Sequence, residues 1–131
     1  MGLVSRLTRV TRRTLLGRRV RVWHHAAYRL PLGGMEGGRG LEPRRADRVR
    51  WYGLQKGMLT QKHLRTPDPV GWEALSRVHT QQLLEEMVTA DGLASVFGAH
   101  PSEVEVEPLL NMARTACGGT VAAAFEALNQ E

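Results

Sequence analysis

Val20-Arg21-Val22-Trp23-His24-His25-Ala26-Ala27-Tyr28 is the stretch on which the reading of the fold turns. Its first four residues alternate apolar and charged side chains and include two β-branched residues and an aromatic. That is the period-two signature of a half-buried strand, here the first of the fold. Upstream lies Met1 to Arg19, rich in Arg, Ser and Thr, with no acid before Glu36. Leu3, Leu7, Val10 and Leu15 fall loosely on one helical face. This leader reads as a poorly packed segment, as a surface for nucleic acid or anionic lipid, or as an organelle-targeting presequence. No continuous apolar stretch follows its charges, so a secretory signal is not expected.

Downstream, Leu32 to Leu41 carries Gly33, Gly34, Gly37, Gly38 and Gly40 and reads as a loop. It lacks the glycine-lysine order of a phosphate cradle. Glu42 and Pro43 suit a helix start, and Ala46, Val49 and Leu54 form an apolar stripe that Gly57 ends. Residues 61–70 read as a short strand and a turn, because Pro67 and Pro69 forbid helix. Trp72, Leu75 and Val78 restore the helical period. Thr80 then caps a second short helix bearing Leu83, Leu84 and Met87. Another short helix is expected over 93–97. The last helix opens at Pro108 and repeats Leu109, Ala113, Cys117, Val121, Phe125 and Leu128. Gly118 and Gly119 inside it each cost about 1 kcal/mol against alanine, which points to a backbone passing close by.

The order strand, loop, helix, strand, helices, long helix predicts an α/β fold. Two short strands are few for a parallel sheet, whose faces need cover. The chain therefore reads as a basic leader, 1–19, followed by an incomplete α/β segment, 20–131.

Charge is unevenly shared. Residues 1–50 hold 13 Lys/Arg against 3 Asp/Glu, and residues 51–131 hold 5 against 10, so the halves face different partners. No apolar run is long enough to span a membrane. The single cysteine, Cys117, excludes an internal disulfide and a cysteine-rich zinc site. It is expected to be a small buried apolar residue. Together these features favour a cytoplasmic location, an organelle being the alternative.

Four segments, in this order, resemble the histone deacetylase and acetoin-utilisation family. Val20 to Tyr28 is similar to its opening strand and aromatic-bearing turn. Glu42-Pro43-Arg44-Arg45-Ala46-Asp47-Arg48-Val49 is similar to the start of its first helix. Trp72 to Leu84, with Val78-His79-Thr80 at its centre, looks like its paired short helices, Leu83 standing where an aromatic is common. Ala116-Cys117-Gly118-Gly119-Thr120-Val121 is similar to the glycine-pair helix before the catalytic strand. The resemblance spans about residues 18–129. It implies the N-terminal part of an arginase-like parallel sheet with flanking helices. In the family, an Asp-x-His pair and a second Asp hold Zn²⁺, adjacent histidines move protons, and a late tyrosine polarises the amide carbonyl.

None of those catalytic groups is expected in this chain. Its aspartates are Asp47, Asp68 and Asp91, and none has a histidine two residues later. In the family the histidine pair follows the glycine-pair helix by one strand and one turn. His24-His25 lies far upstream of that position, and neighbours on a strand point to opposite faces. His79 is expected to make a local hydrogen bond, and His63 and His100 to lie at the surface. Asp91 and Glu103 fall where the family has a substrate-rim loop, without a clear match. The one position carried over with a role is Arg45, which matches an arginine beside an internal acetate channel under the active site. Arg44 and Arg48 flank it, and a helix-start arginine bonding nearby carbonyls is the plainer alternative.

The expectation is thus the N-terminal portion of a zinc-dependent deacetylase, a hydrolase of acetyl-lysine or acetylamine substrates when complete. On its own, this chain would have no metal or catalytic site. The alternative is a non-catalytic basic module binding nucleic acid, or an inactive partner subunit.

Overall fold

The computed structural model describes residues 20–31 and 42–129; the expectations for the leader at 1–19 and the glycine-rich stretch at 32–41 lie outside these. Strand β1 (Val22–Trp23) leads into a 3-10 turn (Ala26–Tyr28). Helix α1 (Arg45–Gln55) follows, then a 3-10 turn (Gln61–His63) and strand β2 (Leu64–Arg65). Three short helices come next: α2 (Trp72–Ser76), α3 (Gln81–Met87) and α4 (Ala90–Phe97). A 3-10 turn (Pro101–Glu103) then opens onto the long helix α5 (Val106–Leu128).

β1 and β2 pair in parallel, Val22 opposite Leu64 and Trp23 opposite Arg65. A parallel pair needs a crossover, and α1 lies in it. The described chain is therefore mostly helical around a small parallel sheet, consistent with the α/β expectation at that coarse level. His24 N–H donates to the Arg65 carbonyl at 2.9 Å. Val22 and His24 thus present their backbone groups to β2, and those of Trp23 face the opposite edge.

α1 starts where its exposed amides find an acceptor. The Arg44 N–H donates to the Glu42 carboxylate at 3.0 Å, which also places a negative charge at the positive end of the helix. The helix ends as expected at Gly57, whose φ of 63° only glycine takes without strain. Leu59 then folds back against Gly53, bringing its N–H to the Gly53 carbonyl. Thr80 caps α3 through the Leu83 N–H, as its position suggested, and Thr89 caps α4 through the Gly92 N–H.

Packing falls into two zones. Leu93 of α4 and Leu109 of α5 form the buried apolar centre, with Leu30, Met87, Phe97, Val104, Val106, Leu110 and Met112 around it. Further along, α5 lies across β1 and the first 3-10 turn. There a Cβ on Gly118 would run into the Asp68 carbonyl oxygen, and one on Gly119 into the Tyr28 hydroxyl. The glycine pair is thus a seat for the turn at 67–70 and for Tyr28, the close approach that its cost in the helix implied. Arg114 fastens the same turn: its Nε donates to the Val70 carbonyl at 2.9 Å, its own carbonyl accepts from Val70 N–H, and its guanidinium lies 4.9 Å from the Trp72 ring centroid.

Several boundaries and faces differ from expectation. α5 begins at Val106, two residues before Pro108, because proline is tolerated throughout a first turn that needs no intrahelical N–H. The buried face of α5 is Leu109, Thr115, Gly118 and Gly119, so of the stripe read from Leu109 to Leu128 only Leu109 is buried and the rest faces solvent. Cys117 goes with it and is exposed, not buried. The error is physical: a face made of small residues buries backbone and leaves the larger side chains outside. Val49, read as part of the α1 stripe, is also exposed, while Ala46 and Leu54 are half-buried. Val78 lies beyond the end of α2 and is largely exposed. The short helix expected at 93–97 starts earlier, at Ala90.

Candidate functional site

The carboxylate of Asp47, in the first turn of α1, joins three pieces of chain. Its Oδ1 lies 3.0 Å from His24 Nε2 at the end of β1, and its Oδ2 accepts from Arg29 Nε at 2.7 Å. The Arg29 hydrogen bond is the main reason the Asp47 carboxyl ionises below its ordinary range. The Arg29 charge and His24 add to this, and partial burial opposes it. Tyr28 stands edge-on to His24, ring centroids 5.9 Å apart, and its hydroxyl donates a long 3.4 Å bond to the Thr115 carbonyl. Burial pushes the Tyr28 phenol above its ordinary value, so it remains a neutral donor.

Beside this cluster a shallow cleft of about 390 Å³ runs between β1 and α5, lined by Arg21, Trp23, Tyr28, Gly119, Thr120 and Ala123. Arg21 and Trp23 are two apart on the strand and so share a face. Arg21 Nε donates to Glu126 Oε1 at 3.0 Å. Trp23 Nε1 and Glu126 Oε2 are withdrawn from solvent and have no hydrogen-bond partner among the described residues. A buried donor in this cleft and a buried acceptor next to it are thus left open among the described residues.

The sequence candidates are not brought together. Arg45, the position matched to a channel arginine, is the exposed first residue of α1, with its N–H on the Glu42 carbonyl at 3.1 Å. His25 turns away from His24 and caps the 3-10 turn, its Nδ1 accepting from Ala27 N–H. His63 Nδ1 accepts from Thr60 N–H, and His100 Nδ1 from Ser102 N–H. His79 is exposed, its N–H bonded to Leu75. Asp91 lies in the first turn of α4, and Glu103 accepts from His100 N–H.

The residues described do not fit a catalytic zinc. Such a site takes three protein ligands, and among the described residues no three His, Cys, Asp or Glu side chains converge. The nearest approach is His24 with Asp47, one imidazole and one carboxylate that Arg29 already holds. A histidine oriented by an aspartate is half of a general-base arrangement, yet here it fixes the exit of β1 against the start of α1. Sequence reasoning missed this pairing, because 23 residues separate the partners and only the parallel crossover unites them. The available signal was an acid in the first turn of an otherwise basic helix.

Among the described residues, no helix is long and apolar enough to cross a membrane. Comparison of the chain with family models, with curated proteins and with solved structures finds no match.

Proposed function

We propose that this chain is the N-terminal portion of a zinc-dependent deacetylase domain of the histone deacetylase type. Its part in that domain is to form the first parallel strands and their covering helix. The observation that supports the reading is the seating of α5. Its Gly118-Gly119 pair packs against Tyr28 after β1 and against the turn after β2, so the first and the last of the four resembling segments meet at one place. A parallel pair with an open edge beside a smooth helix is a natural start for a larger sheet. The chemistry of the complete domain, removal of an acetyl group from acetyl-lysine or an acetylamine, belongs in this reading to residues outside these 131. Arg45 would then reach its role only when more chain packs on the start of α1.

The test has two arms. Purified as these 131 residues, the chain is expected to release no acetate from an acetyl-lysine peptide and to retain no stoichiometric zinc after gel filtration. Mixed or joined with the C-terminal part of a family domain carrying the histidine pair and zinc ligands, it is expected to restore turnover, and Arg45→Ala to lower it. Zinc-dependent deacetylation by the chain alone would refute the assignment of the site elsewhere. Failure of every such combination to gain activity would refute the family reading.

A further inference from the structure

A second surface, on α1, has a chemistry of its own and does not depend on the deacetylase reading. From Arg44 to Met58 the sequence holds Arg44, Arg45, Arg48, Arg50 and Lys56 against a single acid, Asp47. Asp47 is turned inward onto His24 and Arg29. The cations are thus left without it on the outer side. Arg44, Arg48, Tyr52 and Lys56 recur every four residues, and Trp51 stands beside them, so all five lie along one side of the helix. All five are exposed, Trp51 at 61% and Tyr52 at 52%. Lys56 Nζ lies 5.6 Å from the Tyr52 ring centroid. Glu42 pairs with Arg48 at 2.8 Å, but both are open to solvent and the pair is weak.

We infer that this side of α1 is a contact surface for single-stranded nucleic acid. Cations spaced along a helix neutralise phosphates, and an exposed aromatic ring between them offers a face on which an unpaired base stacks. Both rings are more than half exposed in the described fold. A duplex fits less well. α1 is held flat against the body, with Gly53 buried and Ala46, Asp47, Arg50 and Leu54 half-buried. Its exposed rings find no free face on bases that are stacked inside a duplex. An anionic membrane also fits less well, because interfacial helices segregate a broad apolar face from their cations. Here Trp51 and Tyr52 sit among the cations. The surface is distinct in sequence from the leader at 1–19, whose arginines would add only a general attraction.

The experiment is fluorescence anisotropy of labelled oligo(dT), about 20 nucleotides long, titrated with the full chain at about 50 mM salt. Binding in the micromolar range is expected, with quenching of tryptophan emission as bases stack. The deciding variant is the double substitution Trp51→Ala and Tyr52→Ala, which changes no charge and so leaves the leader's attraction intact. It is expected to weaken binding about tenfold. Should that variant lose its helical circular dichroism, Arg44→Ser with Lys56→Ser supplies the second readout. The logarithmic salt slope should become shallower by about 0.7 for each phosphate contact removed. The inference is overturned if oligo(dT) does not bind. Undiminished binding by a folded aromatic double variant, or an unchanged slope in the charge variant, also overturns it. So do equal affinity for a blunt duplex and preference for phosphatidylserine vesicles over the oligonucleotide.

Discussion

The Tyr28 hydroxyl occupies the place where a side chain on Gly119 would begin. Gly119→Ala should therefore destabilise the chain by about 1–3 kcal/mol, the usual range for forcing a methyl group into a packed contact. Tyr28→Phe removes the obstructing oxygen and forfeits only a 3.4 Å hydrogen bond to Thr115, so alone it should cost less than about 1 kcal/mol. The two changes together should then cost clearly less than their sum. Additive losses in urea melts would show that α5 is not seated on Tyr28. Gly118 offers no such rescue, because its obstacle is the Asp68 backbone. Asp47 makes the second prediction at this scale. Its folded-state pKa is depressed, mainly by the Arg29 hydrogen bond. The stability it contributes is therefore fully present above the unfolded value, about 3.9, and is lost as pH falls through the lower folded value. The thermal midpoint should hold steady from neutral pH to about pH 5 and drop below about pH 4. Asp47→Asn should lower the midpoint at neutral pH and flatten that acid limb. An acid limb unchanged in the variant would mean that other carboxylates govern it.

At the scale of one element, α5 shows what sequence could and could not tell. Its existence, its glycine pair and the close approach were all legible, because a helix that tolerates two glycines has a reason to. Its buried residues were less legible, because a hydrophobic stripe is the usual guide to the buried face, whereas close backbone packing selects for small size. Val121, Phe125 and Leu128 are consequently exposed, at 45%, 62% and 71%. Such a patch binds hydrophobic dyes and promotes association. Phe125→Glu should reduce dye fluorescence and concentration-dependent light scattering while shifting the melting point little, since Phe125 has few contacts to lose. Cys117 lies on the same face and should react with a thiol reagent in the native chain as readily as in urea. A protected thiol or a large loss of stability in Phe125→Glu would place this face inside the fold.

Across the whole molecule, the order of elements was legible and their joining was not. Each strand contributes only two residues to the ladder, so a parallel pairing made across an intervening helix leaves little local signal. The Asp47 cluster was invisible for the same reason, since it depends on that crossover. Among the described residues the buried Leu93, Ala94 and Leu109 belong to α4 and α5, and near the sheet the only comparably buried apolar side chain is Pro67, against Gly119. The sheet is held instead by polar ties, His24 and Arg29 to Asp47 and Arg21 to Glu126, and by the seat on the glycines. Two zones fastened by different forces should not melt as one. Unfolding exposes little apolar surface around β1 and more around Leu93 and Leu109, and sensitivity to denaturant follows the surface exposed. In a variant carrying Trp51→Phe and Trp72→Phe, the emission of Trp23 reports the sheet alone, and far-ultraviolet circular dichroism reports chiefly the helices. The Trp23 transition should come at lower urea and with a shallower slope than the helical one. Added salt should widen the gap by weakening the ion pairs while strengthening apolar burial. Coincident, steep transitions with both probes would instead establish a single cooperative unit, with the polar ties and the buried leucines acting together.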